Sequence, residues 1–182
     1  MIKGDKMKSF LLVVILVIVT TPMASFAREK GINSKTCSVI DCPAGTKAMT
    51  YASKDDPYYS CPSKELSEYS NLIIGLTFMA VQFDGKVPNI SEKTGEPEFQ
   101  GETKQMVDAY RNRAGVSTFG QAVKQCRKGA NKLKVVVLND PEEAESSYVM
   151  IEKNNNTFWM PKSHLDKREE GRGQVFVKNE AD

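Results

Sequence analysis

Imidazole and indole are nearly absent from this chain of 182 residues, which has one histidine, His164, and one tryptophan, Trp159. A catalytic histidine works with a nucleophile and an orienting acid, and the chain contains neither a Gly-x-Ser-x-Gly elbow nor a Ser-x-x-Lys motif. We therefore interpret His164 as a surface residue that caps a turn, and Trp159 as a structural residue at the corner of a strand. The alternatives are a histidine base and a tryptophan that stacks on a bound partner.

Motifs for metals and cofactors are also missing. A zinc site needs several histidine or cysteine ligands, and no glycine-rich phosphate loop or dinucleotide fingerprint is present. The residues after Asp84 lack the spacing of a calcium loop. The sequence predicts no catalytic residue, no metal and no cofactor. A carboxylate-dependent hydrolase stays as an alternative, although spacing does not select any pair among Glu65, Glu68, Asp84 and Glu102.

No apolar run approaches the roughly 20 residues of a membrane-spanning helix. The run Phe10–Val19 follows three lysines and precedes the small residues Ser25 and Ala27, which is typical of a secretory signal peptide. We predict that residues 1–27 form this signal, that cleavage follows Ala27, and that the remaining chain has no membrane span. An uncleaved N-terminal anchor is the alternative. The mature chain would have equal numbers of acidic and basic residues and would be periplasmic or secreted.

All four cysteines follow the predicted signal. An even number in an exported chain indicates two disulfides, and the spacing matches neither a C-x-x-C redox motif nor a zinc ribbon. Three pairings are open. We favour a local bridge from Cys37 to Cys42 and a long-range bridge from Cys61 to Cys126.

Hydrophobic periodicity predicts an α+β fold, in which a helical, disulfide-linked N-terminal part precedes a small antiparallel β-sheet. Residues 28–62 read as an irregular disulfide-linked segment, and residues 63–130 read as three helices. The first helix, from Pro62 to Gly85, is apolar nearly all round, so we expect it to be central and buried. The polar loop 86–101 that follows it reads as mobile.

Residues 131–182 read as the small β part. We predict that this part and the helices form one compact domain. Alternation predicts strands in KLKVVVLN, SYVMIEK, TFWM and QVFVKN, with a tight turn at Asn154–Asn156. The run KVVVLN, SYVMIEK, NNN, TFWMP and KSHL resembles the small SH3-like barrels of bacterial envelope proteins. The resemblance implies a tight turn, an aromatic strand and a short helical turn after Pro161.

Acidic residues are missing from the whole stretch between Asp108 and Asp140. A third helix beginning at Thr118 would present Lys124, Arg127 and Lys128 opposite its apolar face. We interpret these residues first as a solvated face balanced by the acids that follow, and the alternative is a docking surface for an acidic protein partner or an anionic polymer. The residues expected on that docking surface are Arg111, Arg113, Lys124, Arg127, Lys128, Lys132, Lys134 and Trp159.

These features favour an exported, non-enzymatic interaction or accessory protein of the bacterial envelope, such as a component of a transport, secretion or conjugation assembly. Nucleic-acid binding is disfavoured, because no interleaved aromatics or known module accompany the basic residues. The alternatives are a periplasmic carboxylate-dependent hydrolase and a secreted inhibitor or toxin-like factor.

Overall fold

The computed structural model describes residues 35–138 and 145–168. The predicted signal peptide, residues 139–144 after the predicted strand KLKVVVLN, and the predicted strand QVFVKN lie outside these residues. The described chain is a mixed α+β structure with three α-helices, antiparallel strands and two disulfides. Its elements, in chain order, are β1 (Lys47–Thr50), β2 (Tyr59–Ser60), α1 (Lys64–Asp84), α2 (Gly101–Arg113), α3 (Phe119–Gln125), β3 (Arg127–Lys128), β4 (Lys134–Val137), β5 (Tyr148–Lys153), β6 (Asn156–Pro161), a 3₁₀ turn (Lys162–His164) and β7 (Leu165–Lys167).

Five strands form one antiparallel sheet in the order β6-β5-β4-β1-β7, and β2 pairs with β3 in a small second sheet. Strand β1 lies inside the large sheet, although it precedes all three helices in the chain. The predicted order, a helical N-terminal part followed by a small antiparallel sheet, is therefore corrected, because the helices are inserted between the neighbouring strands β1 and β4. The small residues Ala48 and Thr50 supply the buried face of β1, so its sequence shows little alternation.

The sheet packs around one apolar core of alternating side chains. Val135, Val137, Val149, Ile151 and Met160 are buried on the same face, because side chains at alternate positions of a strand share a face. The turn between β5 and β6 has positive φ at Asn154 and Asn155, as predicted for asparagine.

The helices enclose a second core, which contains Leu66, Tyr69, Ile73, Val107 and Ala122. Helix α1 begins after Ser63, whose Oγ accepts a hydrogen bond from the backbone N–H of Leu66, and it ends at Gly85 in the left-handed conformation. Helix α3 begins after Thr118, whose hydroxyl accepts from the N–H of Gln121. The Gln121 side chain accepts in turn from the backbone N–H of Ser117, so Thr118 and Gln121 form a variant of the capping box whose return bond is shifted by one residue.

The two disulfides join Cys37 to Cys42 and Cys61 to Cys126, which is the favoured pairing. The short bridge belongs to the sheet core and the long one to the helical core. All four thiols are used, and no free cysteine remains.

Candidate interaction surface

The outer half of α1 and the loop after it expose a cluster of large apolar side chains. Phe83 is 80% exposed and Val87 is 72% exposed. Six of the nine exposed large apolar side chains in the described residues fall in this one segment: Phe78, Met79, Val81, Phe83, Val87 and Ile90. We call these six residues the apolar arm. The prediction that α1 is central and buried holds for its first half, which packs against α2 and α3, and is wrong for its end, which nothing in the described part of the chain covers.

The arm has a regular exposed face on α1. Gly75, Phe78, Met79 and Gln82 are all exposed, and their spacing of i, i+3, i+4 and i+7 places them on one side of the helix. No charged residue occurs from Ser70 to Phe83. Gly75 leaves open space, since a Cβ built there would meet no atom within 4 Å. This face is uncharged, presents Phe78 and Met79 beside the polar Gln82, and is notched at Gly75.

A cleft of about 220 Å³ adjoins the arm, between α1 and the 3₁₀ turn. Phe78 and Gly75 form part of its helical wall, and Tyr148, Pro161 and His164 form part of the opposite wall. Asp55 and Asp56 also line the cleft. The arm and the cleft are therefore neighbouring parts of one surface that share Phe78.

His164 lines this cleft and is buried, with 7% of its surface exposed. Its ring stacks on Tyr58, and its Nδ1 lies 3.0 Å from the carbonyl oxygen of Tyr51. A carbonyl oxygen can only accept, so Nδ1 donates. Nε2 lies 3.7 Å from Asp56 Oδ1. The prediction of a surface histidine is wrong, because the segment after β1 folds over the ring.

Trp159 lies in β6 opposite Met150 of β5. Its neighbours Phe158 and Met160 pack into the sheet core from the other face, as the predicted alternation requires. The backbone of Trp159 exchanges two hydrogen bonds with Cys61, of 2.7 and 2.9 Å. Its partly buried ring lies below Lys64, whose Nζ is 5.7 Å from the ring centroid. Trp159 thus connects the sheet edge to the start of α1.

The predicted basic residues separate into two groups. Arg111 is an internal ion-pair residue, because it donates to Glu96 and Asp108 and its side chain is only 15% exposed. Arg113 pairs with Glu68 and lies over the ring of Tyr110. These two arginines hold α2 against its neighbours, and Arg111 is not available as a docking residue.

The other five basic residues are exposed: Lys124, Arg127, Lys128, Lys132 and Lys134. They do not share one helix, because α3 ends at Gln125 and Arg127 and Lys128 belong to β3. Cys126 has an extended backbone and carries the long disulfide, which ends the helix at that point. None of the five has an ion-pair partner within residues 35–138 and 145–168.

Glu96 is the most buried carboxylate of the described chain, at 4% exposure. It accepts from the hydroxyl of Tyr69 and from Arg111, which anchors the loop 86–101 to α1 and α2. Burial raises the pKa of Tyr69, and the hydrogen bond to Glu96 raises it further. A cleft of about 570 Å³ lies beside Glu96. The two carboxylate oxygens of Glu96 already accept hydrogen bonds from Tyr69 and Arg111. We interpret this cluster as structural.

The carboxylates considered for hydrolase chemistry are not brought together as a catalytic pair. Glu65 and Glu102 are exposed, Glu68 pairs with Arg113, and the side chain of Asp84 lies outside the described part. Within that part, no group of three or more histidine, cysteine or acidic residues could hold a metal ion. No helix among the described residues is long and apolar enough to span a membrane.

Comparison with family models, curated proteins and solved structures finds no significant match to this chain.

Proposed function

We propose that this chain is an exported, non-enzymatic interaction protein of the bacterial envelope, and that it binds a partner protein through the apolar arm. The observation that carries the proposal is the exposure of six large apolar side chains in one segment. Monomeric soluble proteins rarely expose a contiguous apolar patch larger than a few hundred Å² unless it is a binding surface. An accessory role in a transport, secretion or conjugation assembly fits such a surface.

The occupant that fits the arm best is an apolar segment of another protein that also presents a basic side chain. The helical part of the arm has no charged residue up to Phe83, and Asp84 and Lys86 follow only after it, so the arm favours an apolar contact along α1. The adjoining cleft contributes Asp55 and Asp56, so its charge complements a lysine or arginine at the edge. A neutral apolar centre with a charged rim is the usual arrangement of a protein interface.

Site-specific photocrosslinking tests this proposal. A photoreactive phenylalanine analogue at Phe83 should give a discrete adduct in intact cells, and the crosslinked peptide should be an apolar segment with a lysine or arginine. The same analogue at Val39, which is exposed and lies outside the arm, is the matched control. An adduct only with a second copy of this chain, or equal adducts from both positions, would contradict the proposal.

A polar substitution in the arm gives an independent test. Phe83→Ser with Met79→Ser should abolish the adduct formed from a crosslinker at Val87, while the unfolding midpoint changes little. Both side chains are more than half exposed, and surface changes of this kind usually alter stability by about 0.5 kcal/mol or less. Retention of the full adduct would show that the arm is not the binding surface.

The exposed basic residues support a second candidate, in which an acidic partner or an anionic polymer binds on the side of β3. Lys124, Arg127 and Lys128 have no described ion-pair partner and attract anions. Lys124→Glu with Lys128→Glu should then elute from a heparin column at markedly lower salt, with an unchanged melting temperature, because exposed charges contribute little to stability. If the parent protein itself flows through at low salt, these residues form a solvated face only.

Export is supported by the predicted signal peptide and by the two disulfides, since disulfides persist in oxidising compartments. N-terminal sequencing of the protein from a periplasmic or culture fraction should begin at Arg28. A cytoplasmic protein that begins at Met1 or Met7 would overturn this part of the proposal.

An SH3-like barrel is the finer fold that we propose for the sheet. Support comes from the consecutive antiparallel strands β4, β5 and β6, the Asn154–Asn155 turn and the 3₁₀ turn before β7. The helices would then be a large insertion after the first barrel strand. An experimental structure in which β6 and β7 curve towards each other would support a barrel, and a flat open sheet would contradict it.

A further inference from the structure

The cleft beside the apolar arm has the chemistry of a pocket for one basic side chain. Its volume is about 220 Å³, which is below the roughly 300–1,000 Å³ of pockets for whole small molecules. Two acids, Asp55 and Asp56, line it, and no lysine or arginine is among its lining residues. Asp56 lines the cleft and keeps about half of its side chain exposed to solvent.

The second observation is the orientation of His164. Its side chain is nine-tenths buried, and Nδ1 is fixed by donation to the Tyr51 carbonyl. In the neutral ring Nε2 is therefore an acceptor. It faces a carboxylate oxygen at 3.7 Å, which is beyond hydrogen-bond distance, and it has no hydrogen bond to any described residue. Two acceptors this close together can both accept from one ammonium or guanidinium group that approaches from the cleft.

The walls of the cleft fit the aliphatic part of such a ligand. Ile74 and Phe78 come from α1, and Tyr148 and Pro161 come from the sheet. Lysine and arginine place an apolar stem against apolar surface and keep the charged end near polar groups. Aromatic rings such as those of Phe78 and Tyr148 also attract cations.

We infer that this cleft binds the side chain of a lysine or arginine, with its N–H groups donating to His164 Nε2 and to the Asp56 carboxylate. The inference extends the proposed function, because the partner segment on the arm would supply the basic residue. The cleft would bind the basic side chain of the partner segment, and the arm would bind its apolar side chains.

The single histidine makes the test direct, since the ring signals of His164 in an NMR spectrum need no assignment. The whole mature protein is titrated at constant pH with acetyl-arginine amide and with acetyl-lysine amide. Saturable shifts of the His164 signals are expected for at least one of them, with a dissociation constant in the millimolar range, as is usual for so small a ligand. Acetyl-norleucine amide, which has the apolar stem without the charge, should give no saturable shift.

Two variants make the assignment specific. Asp56→Asn should weaken binding about tenfold, since it removes the charge that the cation contacts. Glu92→Gln removes an exposed acid from the loop after α1, outside the cleft lining, and should leave the affinity unchanged. Equal shifts with the norleucine compound, equal weakening by both variants, or no shift with either basic compound would overturn the inference.

The outcome is separable from that of the proposed function. Phe83→Ser should leave the amide titration intact, because Phe83 does not line the cleft. If the arm crosslinks a partner but the cleft binds no cation, the proposed function stands and the inference about the cleft is wrong. If the cleft binds the cations but the arm crosslinks no partner, the inference about the cleft stands and the proposed docking role of the arm is wrong.

Discussion

The imidazole ring of His164 stacks on the phenol ring of Tyr58, with their centroids 4.5 Å apart. His164 and Tyr51 are also connected twice, through the Nδ1 hydrogen bond and through a backbone bond of 2.8 Å from Tyr51 N–H to the His164 carbonyl. The only histidine therefore fastens the segment after β1 to the 3₁₀ turn.

Replacing this ring should destabilise the protein. His164→Ala removes the stack and leaves the Tyr51 carbonyl without its side-chain donor, which we expect to lower the free energy of unfolding by about 2 kcal/mol. Urea denaturation of both proteins measures the change. Ser163→Ala is the matched control at the neighbouring exposed position and should shift the midpoint little. An unchanged midpoint for His164→Ala would return this residue to the surface role that the sequence suggested.

Two glycines should respond to alanine in opposite directions. A Cβ at Gly129 would lie 2.3 Å from the Tyr58 ring, and that ring is buried and stacked, so Gly129→Ala should cost about 1–3 kcal/mol of stability. Gly75 has open space around it on α1, so Gly75→Ala should stabilise the helix by up to about 1 kcal/mol. Thermal unfolding compares the two. A stabilised Gly129→Ala protein would mean that Tyr58 can move away.

The two disulfides should differ in what they contribute. In the chain-entropy model, the bridge over 65 residues stabilises by about 4 kcal/mol, and the bridge over 5 residues by about 2 kcal/mol. Cys61→Ser with Cys126→Ser should therefore lower the unfolding midpoint more than Cys37→Ser with Cys42→Ser. Thiol titration of the denatured, unreduced parent protein should find no free thiol. The reverse ranking of the two double variants would show that core packing, not loop closure, decides their effects.

Alkaline pH should weaken the fold through its tyrosines. Burial raises the pKa of Tyr58, Tyr69 and Tyr148. The folded protein then holds these protons more tightly than the unfolded chain, whose tyrosines have a pKa of about 10. The stabilisation is complete below pH 10 and is lost as the pH rises towards the folded-state values. Urea midpoints between pH 9 and pH 11 should fall, and Tyr69→Phe should show a shallower decline. Equal slopes would exclude Tyr69 as a contributor.

Local signals in the sequence predicted much of the fold. Gly85 and Thr118 mark real helix ends, and the alternation of KVVV and YVMIE corresponds to β4 and β5. These features depend on neighbours within a few residues, so a single sequence contains them. The burial of His164 and the internal pairing of Arg111 depend on Tyr58 and Glu96, which are distant in the chain. Hydrophobic periodicity is a local pattern and does not predict contacts between residues that are distant in the chain.

The candidate surface was harder to predict for a related reason. An apolar helix predicts burial, but the sequence does not say which turns of α1 the rest of the chain is large enough to cover. Helices α2 and α3 cover the first turns, and Phe83 is left in solvent. The cleft is equally non-local, because Asp56, Phe78 and His164 come from three separate elements. The sequence shows the basic residues, but it does not show that Arg111 and Arg113 form ion pairs with acidic residues.

The position of the long disulfide also bears on how fast the sheet can assemble. Strands β1 and β4 pair although roughly 80 residues separate them, so their pairing must close a long loop. Cys61 and Cys126 lie near the two ends of that inserted stretch. Once they are joined, the shortest covalent path between the two strands falls to roughly 20 residues, and loop closure becomes easier by about 1 kcal/mol. Chains that are oxidised before refolding should therefore regain the sheet several times faster than reduced chains.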